Sequence, residues 1–417
     1  MLAHGAWSLA AALALAFAAS LPAPAQQVVK LAYIDPLSGA FATTGDHALK
    51  HFQFAAEEVN KRGSAGGFRL EVVAFDNRVS PQESLNQLKK VIDSGIGYVI
   101  QGQSSAVALA LTDAIDKHNE RNPGREIVYL NYAAVDPDLT NSKCSFWHFR
   151  FDANSDMRME ALTTYLAKDA AIKRVYLINQ NYSFGQAVAR AARADLARKR
   201  PDIQIVGDDL HPLGQVKDFA PYVAKIKASG ADTVITGNWG NDMTLLIRAA
   251  KDAGLSVNFY TYYAGAIGAP TVMGDAAIGR VKQITEWHLN VPTKDTEKLA
   301  AGFKKKYNLD WYFFRASTMM AMLAEAVQRA GSAEPKAVAK RLEGMRFPTE
   351  LGEVEMRAAD HQLVQPLYIS TIERTAANGG PKEVRHDVEG TAMGFRTDAR
   401  IEPYVSAQPT SCQMKRP

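Results

Sequence analysis

Two stretches of the sequence share the pattern Ser-Gly-x-x-x-Val-Ile-x-Gly, and side chains that could bind a ligand follow each of them. The first, SGIGYVIQG at 94–102, leads through Gln103 into Ser104 and Ser105 and then into a segment of helical periodicity. Two hydroxyls beside the free N–H groups of a helix N-terminus suit an anion such as a carboxylate. The alternative is that both serines only cap the helix. The sequence alone leaves both interpretations open.

The second stretch, SGADTVITG at 229–237, is followed by an aromatic and an acidic side chain, Trp239 and Asp242. Tyr263 follows the next predicted strand, and Phe184 lies at the start of a predicted helix. One side of a shared cleft would therefore offer hydroxyls and amides, and the other side aromatic rings. Such a cleft suits a small molecule with a carboxylate at one end and an apolar or cationic body.

The elements that position these residues alternate along the chain. Strand patterns at VVKLAYI, FRLEVVAFD, YVIQG and IVYLNY are separated by helical segments, and the alternation starts again after about residue 150. This order predicts right-handed βαβ units and parallel sheets in two similar α/β lobes. Ligands of such sheets bind beyond the carboxyl ends of the strands. The repeated pattern therefore marks the same corner in each lobe.

Composition and motifs limit the classes of function. Of 417 residues, 47% are hydrophobic and 22% charged, and the net charge of +4 is not concentrated in one stripe. We therefore predict no nucleic-acid partner. No G-x-x-x-x-G-K-[ST] occurs and no G-x-G-x-x-G follows a strand, so no nucleotide motif indicates a cofactor.

A metal site is the alternative for His47 and His51, which are four residues apart on a predicted helix. The segment HALKH lacks the glutamate of H-E-x-x-H, and no third ligand is evident. We therefore expect a plain surface helix and no metal.

The first 25 residues have the composition of an export signal. MLAHGAWSLAAALALAFAASLPAPA contains no Lys, Arg, Asp or Glu and ends in Ala-x-Ala, which predicts a secretory signal peptide cleaved before Gln26. The alternative is an apolar N-terminal anchor. No later stretch is apolar enough to span a bilayer, so we expect no membrane insertion after signal cleavage.

The chain has two cysteines, Cys144 and Cys412. In an oxidising compartment an even pair predicts a disulfide, which would hold the C-terminal tail to the middle of the chain. The alternative is two unpaired thiols.

An enzyme alternative starts from the first corner. The order strand, Gly102-x-Ser104, helix resembles the nucleophile elbow of α/β-hydrolases, which would make Ser104 the nucleophile of a serine esterase. That motif has Gly two residues after the serine, where Ala106 stands here, and neither His211 nor His288 is marked as a catalytic base. We therefore favour a binding protein that is not an enzyme.

Longer segments of the chain resemble a known family. The segments are LSGAFATTGDHALKHFQFAAEEVN (37–60), SGIGYVIQGQSS (94–105), YAAVDPDLT (132–140), NQNYSFGQAV (179–188) and IRAAKDAGL (247–255). In this order and spacing the chain is similar to the type I periplasmic solute-binding proteins of ABC importers, in the leucine/isoleucine/valine-binding protein group. The resemblance covers nearly all of the mature chain. It implies two Rossmann-like α/β lobes with parallel sheets, joined by three crossing segments, with the ligand at the hinge.

The resemblance also implies a division of the chain and a set of partners. We expect a signal peptide at 1–25, lobe 1 at 27–150 plus 285–350, lobe 2 at 151–284 plus 351–395, and a C-terminal tail at 396–417. The protein would be periplasmic, capture a small-molecule ligand and deliver it to the membrane subunits of an ABC permease.

Carried over position by position, the resemblance assigns ligand contacts. The carboxylate-binding serine of the family falls on Ser105, and the backbone of the ligand-contacting loop falls on Ala133. The remaining positions that the resemblance places at the ligand are Thr44, Phe184, Trp239 and Phe313.

Two positions depart from the amino-acid binders of the family. A threonine that holds the ligand's ammonium and carboxylate is Val135 here, and the acidic residue that pairs with the ammonium maps near Tyr263. A buried ammonium without a charge partner is costly. Either Asp242 or Glu286 supplies the charge, aromatic faces partly replace it, or the ligand has no amine. We favour a carboxylic acid with an aromatic or branched apolar body over a branched-chain or other hydrophobic amino acid.

Overall fold

The computed structural model describes residues 27–63, 65–291 and 293–417. The predicted signal peptide at 1–25 lies outside these residues. The helices are α1 (Ala42–Arg62), α2 (Pro81–Asp93), α3 (Ser105–Arg121), α4 (Ser155–Leu166), α5 (Ser183–Lys199), α6 (Ala220–Ala228), α7 (Gly240–Asp252), α8 (Ala269–Met273), α9 (Lys294–Tyr307), α10 (Phe314–Ala330), α11 (Pro335–Leu342) and α12 (Pro403–Ser406).

The strands belong to three sheets. They are β1 (Gln27–Asp35), β2 (Phe68–Asp76), β3 (Tyr98–Gln101), β4 (Val128–Asn131), β5 (His148–Arg150), β6 (Arg174–Gln180), β7 (Gln204–His211), β8 (Thr233–Thr236), β9 (Asn258–Thr261), β10 (Val281–Thr285), β11 (Arg346–Thr349), β12 (Gly352–Met356), β13 (Leu363–Val364), β14 (Leu367–Arg374) and β15 (Met393–Ile401).

Lobe 1 is built on a parallel sheet of five strands in the order β2-β1-β3-β4-β5. Every residue of β3 and β4 is buried, as expected for parallel strands covered by helices on both faces. The helices α1, α10 and α11 pack in series, and α2 packs against α3. A small antiparallel sheet, β11-β12-β13, adds Val354, Met356 and Leu363 to the same core.

Lobe 2 is built on a sheet of seven strands in the order β15-β14-β10-β9-β8-β6-β7. The strands from β10 to β7 are parallel, and β14 and β15 add an antiparallel edge. Within each lobe the strand that ends a repeated stretch, β3 or β8, lies beside the lobe's first strand, β1 or β6. The predicted two-lobed α/β fold is confirmed.

The structure differs from the predicted division of the chain at two places. Residues 352–364 were assigned to lobe 2, but they form β12 and β13 and pack into the core of lobe 1. The predicted tail at 396–417 begins inside β15, which continues to Ile401. The sequence of β15 gives a weak strand pattern because it is an edge strand with two exposed polar residues, Thr397 and Arg400.

The chain passes between the lobes between β5 and α4, between β10 and α9, and between β13 and β14. These are the three predicted crossing segments. A fourth passage follows β15, because α12 packs against α4 of lobe 2 while the residues beyond it reach lobe 1. There the hydroxyl of Thr410 donates to the carbonyl of Thr140 at 2.7 Å.

The fourth passage ends at a disulfide. Cys144 of lobe 1 is bonded to Cys412 of the tail, 268 residues away in sequence. The predicted pairing is confirmed, and the alternative of two free thiols is wrong.

Candidate ligand-binding site

A narrow cavity lies between the two lobes and is lined by residues of both. Eight of the nine predicted ligand-binding residues line this cavity: Thr44, Ser104, Ser105, Ala133, Phe184, Trp239, Tyr263 and Phe313. Both repeated corners therefore open on the same space.

Asp242, the ninth predicted residue, does not line the cavity. It is fully buried, and its Oδ2 accepts hydrogen bonds from Gln180 Nε2 and Gly214 N, each at 2.9 Å. Glu286 is paired with Arg315, whose Nη1 lies 2.6 Å from its carboxylate. Neither proposed source of negative charge therefore brings a carboxylate to the cavity wall.

Five helices begin at the wall of the cavity. Ser104, Tyr182, Trp239 and Phe313 line it and immediately precede α3, α5, α7 and α10, and Thr44 lies in the first turn of α1. At α10 the N–H of Arg315 donates to Glu286 Oε1 at 3.3 Å, whereas the other four helices have no side-chain cap at the N-terminus. Their first N–H groups and the positive ends of their dipoles favour an anion.

The interpretation of Ser104 and Ser105 as mere helix caps is wrong, because neither forms a side-chain cap on α3. Ser105 Oγ accepts a hydrogen bond from the Asp136 N–H at 3.2 Å. Its own proton is therefore free to be donated to a ligand. Ser104 has a positive φ of 79°, a backbone conformation that non-glycine residues rarely adopt outside functional corners.

Aromatic rings form the lobe 2 side of the cavity. Trp239 Nε1 donates to Tyr182 Oη at 2.8 Å, so these two rings are fixed relative to each other. Trp239 also packs on Phe41 of lobe 1, with 4.4 Å between ring centroids. Burial is the main cause that raises the pKa of Tyr263 to about 12. Its hydroxyl is therefore neutral near pH 7.

Buried guanidinium groups stand behind two of the cavity rings. Arg158 lies 5.4 Å from the centroid of Tyr263, and Arg315 lies 5.0 Å from that of Phe313. Arg158 Nη2 is 2.5 Å from Asp152, and Arg315 is paired with Glu286. These charges compensate one another, and no residue that lines the cavity carries a formal charge at neutral pH.

Sequence reasoning missed several wall residues, among them Gln103, Tyr132 and Tyr312. Tyr132 follows the last residue of β4, so the strand-end rule could have identified it. Tyr312 stands two residues before α10 in a segment without a strand, and nothing in the sequence marks it. Tyr262, which adjoins Tyr263, does not line the cavity. Its hydroxyl donates to the carbonyl of Ser155 at 2.9 Å.

The expected surface helix at His47 and His51 is wrong, because both side chains are buried. His51 Nε2 accepts from the N–H of Tyr312 at 2.8 Å, and His47 Nε2 donates to the carbonyl of Asp310 at 2.9 Å. The two histidines thus support the segment that carries the Tyr312 and Phe313 rings. Among the described residues no group of three or more His, Cys, Asp or Glu could hold a metal ion.

The hydrolase interpretation gains no support from the geometry. Ser104 lines the cavity, but the wall contains neither a histidine nor a carboxylate that could act as its base. Across 27–63, 65–291 and 293–417, none of the helices has the length and apolar character that crossing a bilayer requires.

Comparison with known proteins relates this chain to periplasmic binding proteins. The sequence model of the periplasmic binding protein family matches residues 28–380. Leu/Ile/Val-binding protein homolog 4 of Brucella abortus is 33% identical, over 98% of this chain and 97% of that protein.

Two solved structures are similar in fold. One is the leucine-, isoleucine-, valine-, threonine- and alanine-binding protein of Brucella ovis in a closed conformation. It has a TM-score of 0.81 and 30% identity, and the match covers 94% of this chain and 100% of that one. The other is a solute-binding protein of an ABC transporter from Rhodopseudomonas palustris in complex with 3,4-dihydroxybenzoic acid. It has a TM-score of 0.77 and 18% identity, and the match covers 90% of this chain and 98% of that one. This chain is a type I periplasmic binding protein of the leucine/isoleucine/valine-binding protein family.

Proposed function

We propose that this protein is the extracytoplasmic receptor of an ABC importer and that its ligand is a small carboxylic acid with an apolar or aromatic body and no amine. The observation that supports this most strongly is the charge character of the cavity wall. Four helix N-termini without a side-chain cap lie at this wall, and no acidic side chain lines the cavity. Such a wall favours a carboxylate and gives an ammonium no ionic partner.

The two sides of the cavity divide the work of recognition. Ser105 and the start of α3 bind the carboxylate, because hydrogen bonds to an ionised acceptor are strong in a site that excludes water. The rings of Phe184, Trp239 and Tyr263 enclose the body of the ligand through apolar contact. The neutral hydroxyl of Tyr182 lies among them and can donate to a polar substituent on that body.

Closure of the lobes delivers the ligand. The lobes bend at the crossing segments near residues 148–153 and 281–290 and enclose the ligand. The membrane subunits of the permease then distinguish the closed, loaded protein from the empty one. The signal peptide that the sequence predicts supports a periplasmic location for this exchange.

An amino acid is the second candidate, because the Brucella abortus relative at 33% identity bears a Leu/Ile/Val-binding name. In that case the ammonium lies against the aromatic faces, which attract cations. The Rhodopseudomonas palustris protein in complex with an aromatic acid shares the fold at 18% identity.

Isothermal titration calorimetry on matched pairs of ligands separates the two candidates. The pairs are L-leucine with 4-methylpentanoate, and L-phenylalanine with 3-phenylpropanoate, which differ only in the ammonium. We expect each amine-free acid to bind at least about tenfold more tightly, because an unpaired buried ammonium costs more than about 1.4 kcal/mol.

The uncharged benzamide serves as a control beside benzoate and should bind weakly, because it lacks the carboxylate. Tighter binding of either amino acid than of its amine-free partner would establish the second candidate instead. A ligand that binds equally well as acid and amide would exclude the carboxylate assignment.

A further inference from the structure

Asp35, the last residue of β1, is fully buried directly beneath the first corner. Its carboxylate accepts four hydrogen bonds. The N–H groups of Gly102 and Gln103 donate at 3.1 and 3.0 Å, Tyr132 Oη at 2.8 Å and Gln101 Nε2 at 3.2 Å. Three of these donors, Gly102, Gln103 and Tyr132, also line the ligand cavity. Asp35 therefore fixes the backbone that leads into Ser104 and Ser105.

A negative charge on Asp35 would be unusual because the side chain is fully buried. No lysine, arginine or histidine in the described part of the chain forms an ion pair with it. A buried carboxylate without a cation is costly even when it is hydrogen-bonded. Moreover, a ligand carboxylate bound at Ser105 would lie beyond the same loop, so two like charges would face each other across it.

The other lobe performs the same structural task without a charge. Asn179 of β6 corresponds in position to Asp35, because β6 lies beside β8 as β1 lies beside β3. Its Oδ1 accepts the N–H of Gly237 at 2.7 Å, as Asp35 accepts that of Gly102. An amide oxygen is therefore sufficient to hold the glycine N–H of such a corner, and Asp35 differs in that its second oxygen also accepts the N–H of Gln103.

We propose that Asp35 is a positioning residue of the carboxylate corner that also takes up a proton when an anionic ligand binds, so that ligand and proton enter the closed site together. This inference rests on the proposed carboxylate ligand. Protonation removes the repulsion between the two carboxylates. In the protonated side chain Oδ1 remains the acceptor for the N–H of Gln103, and the Tyr132 hydroxyl can rotate to accept the new hydrogen on Oδ2.

The protonation equilibrium of Asp35 lies in the accessible pH range. Burial is the main cause that raises its pKa to about 7, and the hydrogen bonds from Tyr132, Gln103, Gln101 and Gly102 only partly oppose this shift. A nearby anion raises the pKa of a carboxyl group further. Binding near pH 7 is therefore accompanied by proton uptake.

The groups on the strands around Asp35 do not titrate near pH 7. On β1 and β4, burial raises the pKa values of Tyr33, Tyr129 and Tyr132 well above 10. On β2, burial of Asp76 raises its pKa, but hydrogen bonds from Ser38 and from backbone N–H groups outweigh this and lower it.

The remaining neighbours also keep a constant charge. Burial lowers the pKa of His47 to about 4 and that of His51 well below its usual range, so both are neutral above pH 6. Burial lowers the pKa of Arg150 on β5 to about 10, so this side chain stays protonated. The exposed Arg78 pairs with Asp76 at 3.9 Å, and neither β3 nor the first turn of α3 carries a charged residue.

The affinity for an anionic ligand should therefore fall as the pH rises. Below pH 7 Asp35 is neutral and the anion binds at full affinity. As the pH rises through about 7, the free protein loses this proton and affinity falls, until it levels off above the pKa of the complex. The total loss is about tenfold for each unit by which the ligand raises the pKa of Asp35.

Calorimetry with benzoate and 4-methylpentanoate between pH 6 and pH 8.5 tests this. For the unaltered protein we expect about fivefold to tenfold weaker binding at the upper end. We also expect net proton uptake near pH 7, read from titrations in buffers of different ionisation enthalpy. Asp35→Asn keeps the shape and one acceptor oxygen, as in Asn179, and should abolish both the slope and the uptake. Asp76→Asn, in register with Asp35 on the adjacent strand, is the matched control and should leave both unchanged.

A ligand-free measurement accompanies the titrations. The pKa of Asp35 in the folded protein exceeds the unfolded value of about 3.9, so its contribution to stability is present below pH 4 and is lost as the pH rises to 7. Asp35→Asn should therefore gain stability relative to the unaltered protein as the pH rises from 4 to 7.

Binding without proton uptake overturns the inference and leaves the proposed function intact. The same holds if Asp35→Asn retains the pH slope of the unaltered protein. If none of the acids binds at any pH, the proposed function fails and this inference fails with it.

Discussion

The two repeated corners share a backbone and differ in chemistry. In each, a glycine with positive φ, Gly95 at 70° or Gly230 at 64°, leads into a strand of four buried residues. Each strand is followed by a second glycine, Gly102 or Gly237, whose N–H donates to a side chain of the lobe's first strand. Beyond this point lobe 1 has two serines, and lobe 2 has Trp239.

The comparison shows how one scaffold supplies two kinds of recognition. The shared glycines bring a helix N-terminus to the cavity in both lobes. In lobe 1 the residues after the glycine are small, so under the proposed function the ligand reaches the N–H groups and hydroxyls. In lobe 2 a large ring, Trp239, stands before the helix, so the same proposal assigns shape and apolar contact to that side.

The largest expected effect is the loss of stability on removing the Cys144–Cys412 disulfide, which joins the C-terminal tail to lobe 1. Replacing both Cys144 and Cys412 by serine should lower the free energy of unfolding by roughly 2–5 kcal/mol, because a long loop of the unfolded chain is released. Hydrogen bonds that already hold the tail, such as that from Thr410 to Thr140, keep the loss below the upper value. Urea denaturation measures it, with the reduced wild-type protein as a control. Equal stability of the oxidised protein and the double variant would show that the link does not stabilise the fold.

The second effect tests whether the two corner glycines are equivalent. A Cβ at Gly102 would lie 2.6 Å from the ring of Tyr132 and 2.7 Å from the backbone N of Ala133. A Cβ at Gly237 would meet only side chains closely, at 2.9 Å from Val188 and 3.0 Å from Phe184.

Because backbone yields less than side chains, Gly102→Ala should cost about 3 kcal/mol of stability and Gly237→Ala about 1 kcal/mol. Thermal and urea denaturation of the pair provide the measurement. A larger loss for Gly237→Ala would mean that lobe 2, not lobe 1, has the more rigid corner.

The site was largely predictable because its residues obey a general rule about strand ends. Ser105, Ala133 and Trp239 follow the carboxyl ends of parallel strands, where ligands of such sheets bind, so their positions could be inferred once the strands were identified. The family resemblance assigned Ala133 and added Thr44 and Phe313, whereas Phe184 was already indicated by its place at the start of a predicted helix.

Other residues were missed because their environment depends on distant segments. Asp35 precedes a proline in a loop-like stretch, and only the folded sheet places it beneath Gly102. His47 and His51 are polar and read as surface positions, but the connection between α9 and α10 buries them. Asp242 was assigned to the ligand because it is acidic and follows a strand end. In the structure its Oδ2 accepts hydrogen bonds from Gln180 and from the N–H of Gly214.

The third effect tests the role of the ring in lobe 2. Trp239→Ala removes a side chain that is 8% exposed and should weaken binding by about 2–3 kcal/mol, or roughly 30-fold to 150-fold, because a large apolar contact is lost. The loss should differ among ligands and change their ranking, since the ring contacts the variable part of the molecule.

Trp147 is equally buried, at 8%, but lies in the core of lobe 1 away from the cavity. Trp147→Ala is therefore the matched control: it should lower stability and keep the ranking of ligands. An unchanged ranking in Trp239→Ala would remove lobe 2 from side-chain selection.

The smallest effect is expected at Ser105, where only one hydroxyl is lost. Ser105→Ala leaves part of a buried carboxylate without a donor, which costs roughly 1–2 kcal/mol, or about fivefold to 30-fold in affinity. Because every acid presents the same group to lobe 1, all ligands in a calorimetric panel should weaken by the same factor. Ser183, at the start of α5 in lobe 2, does not line the cavity, so Ser183→Ala is the matched control and should leave affinity unchanged. If Ser105→Ala binds every acid as the unaltered protein does, then Ser105 serves only the N–H of Asp136, and the carboxylate depends on the helix N-terminus alone.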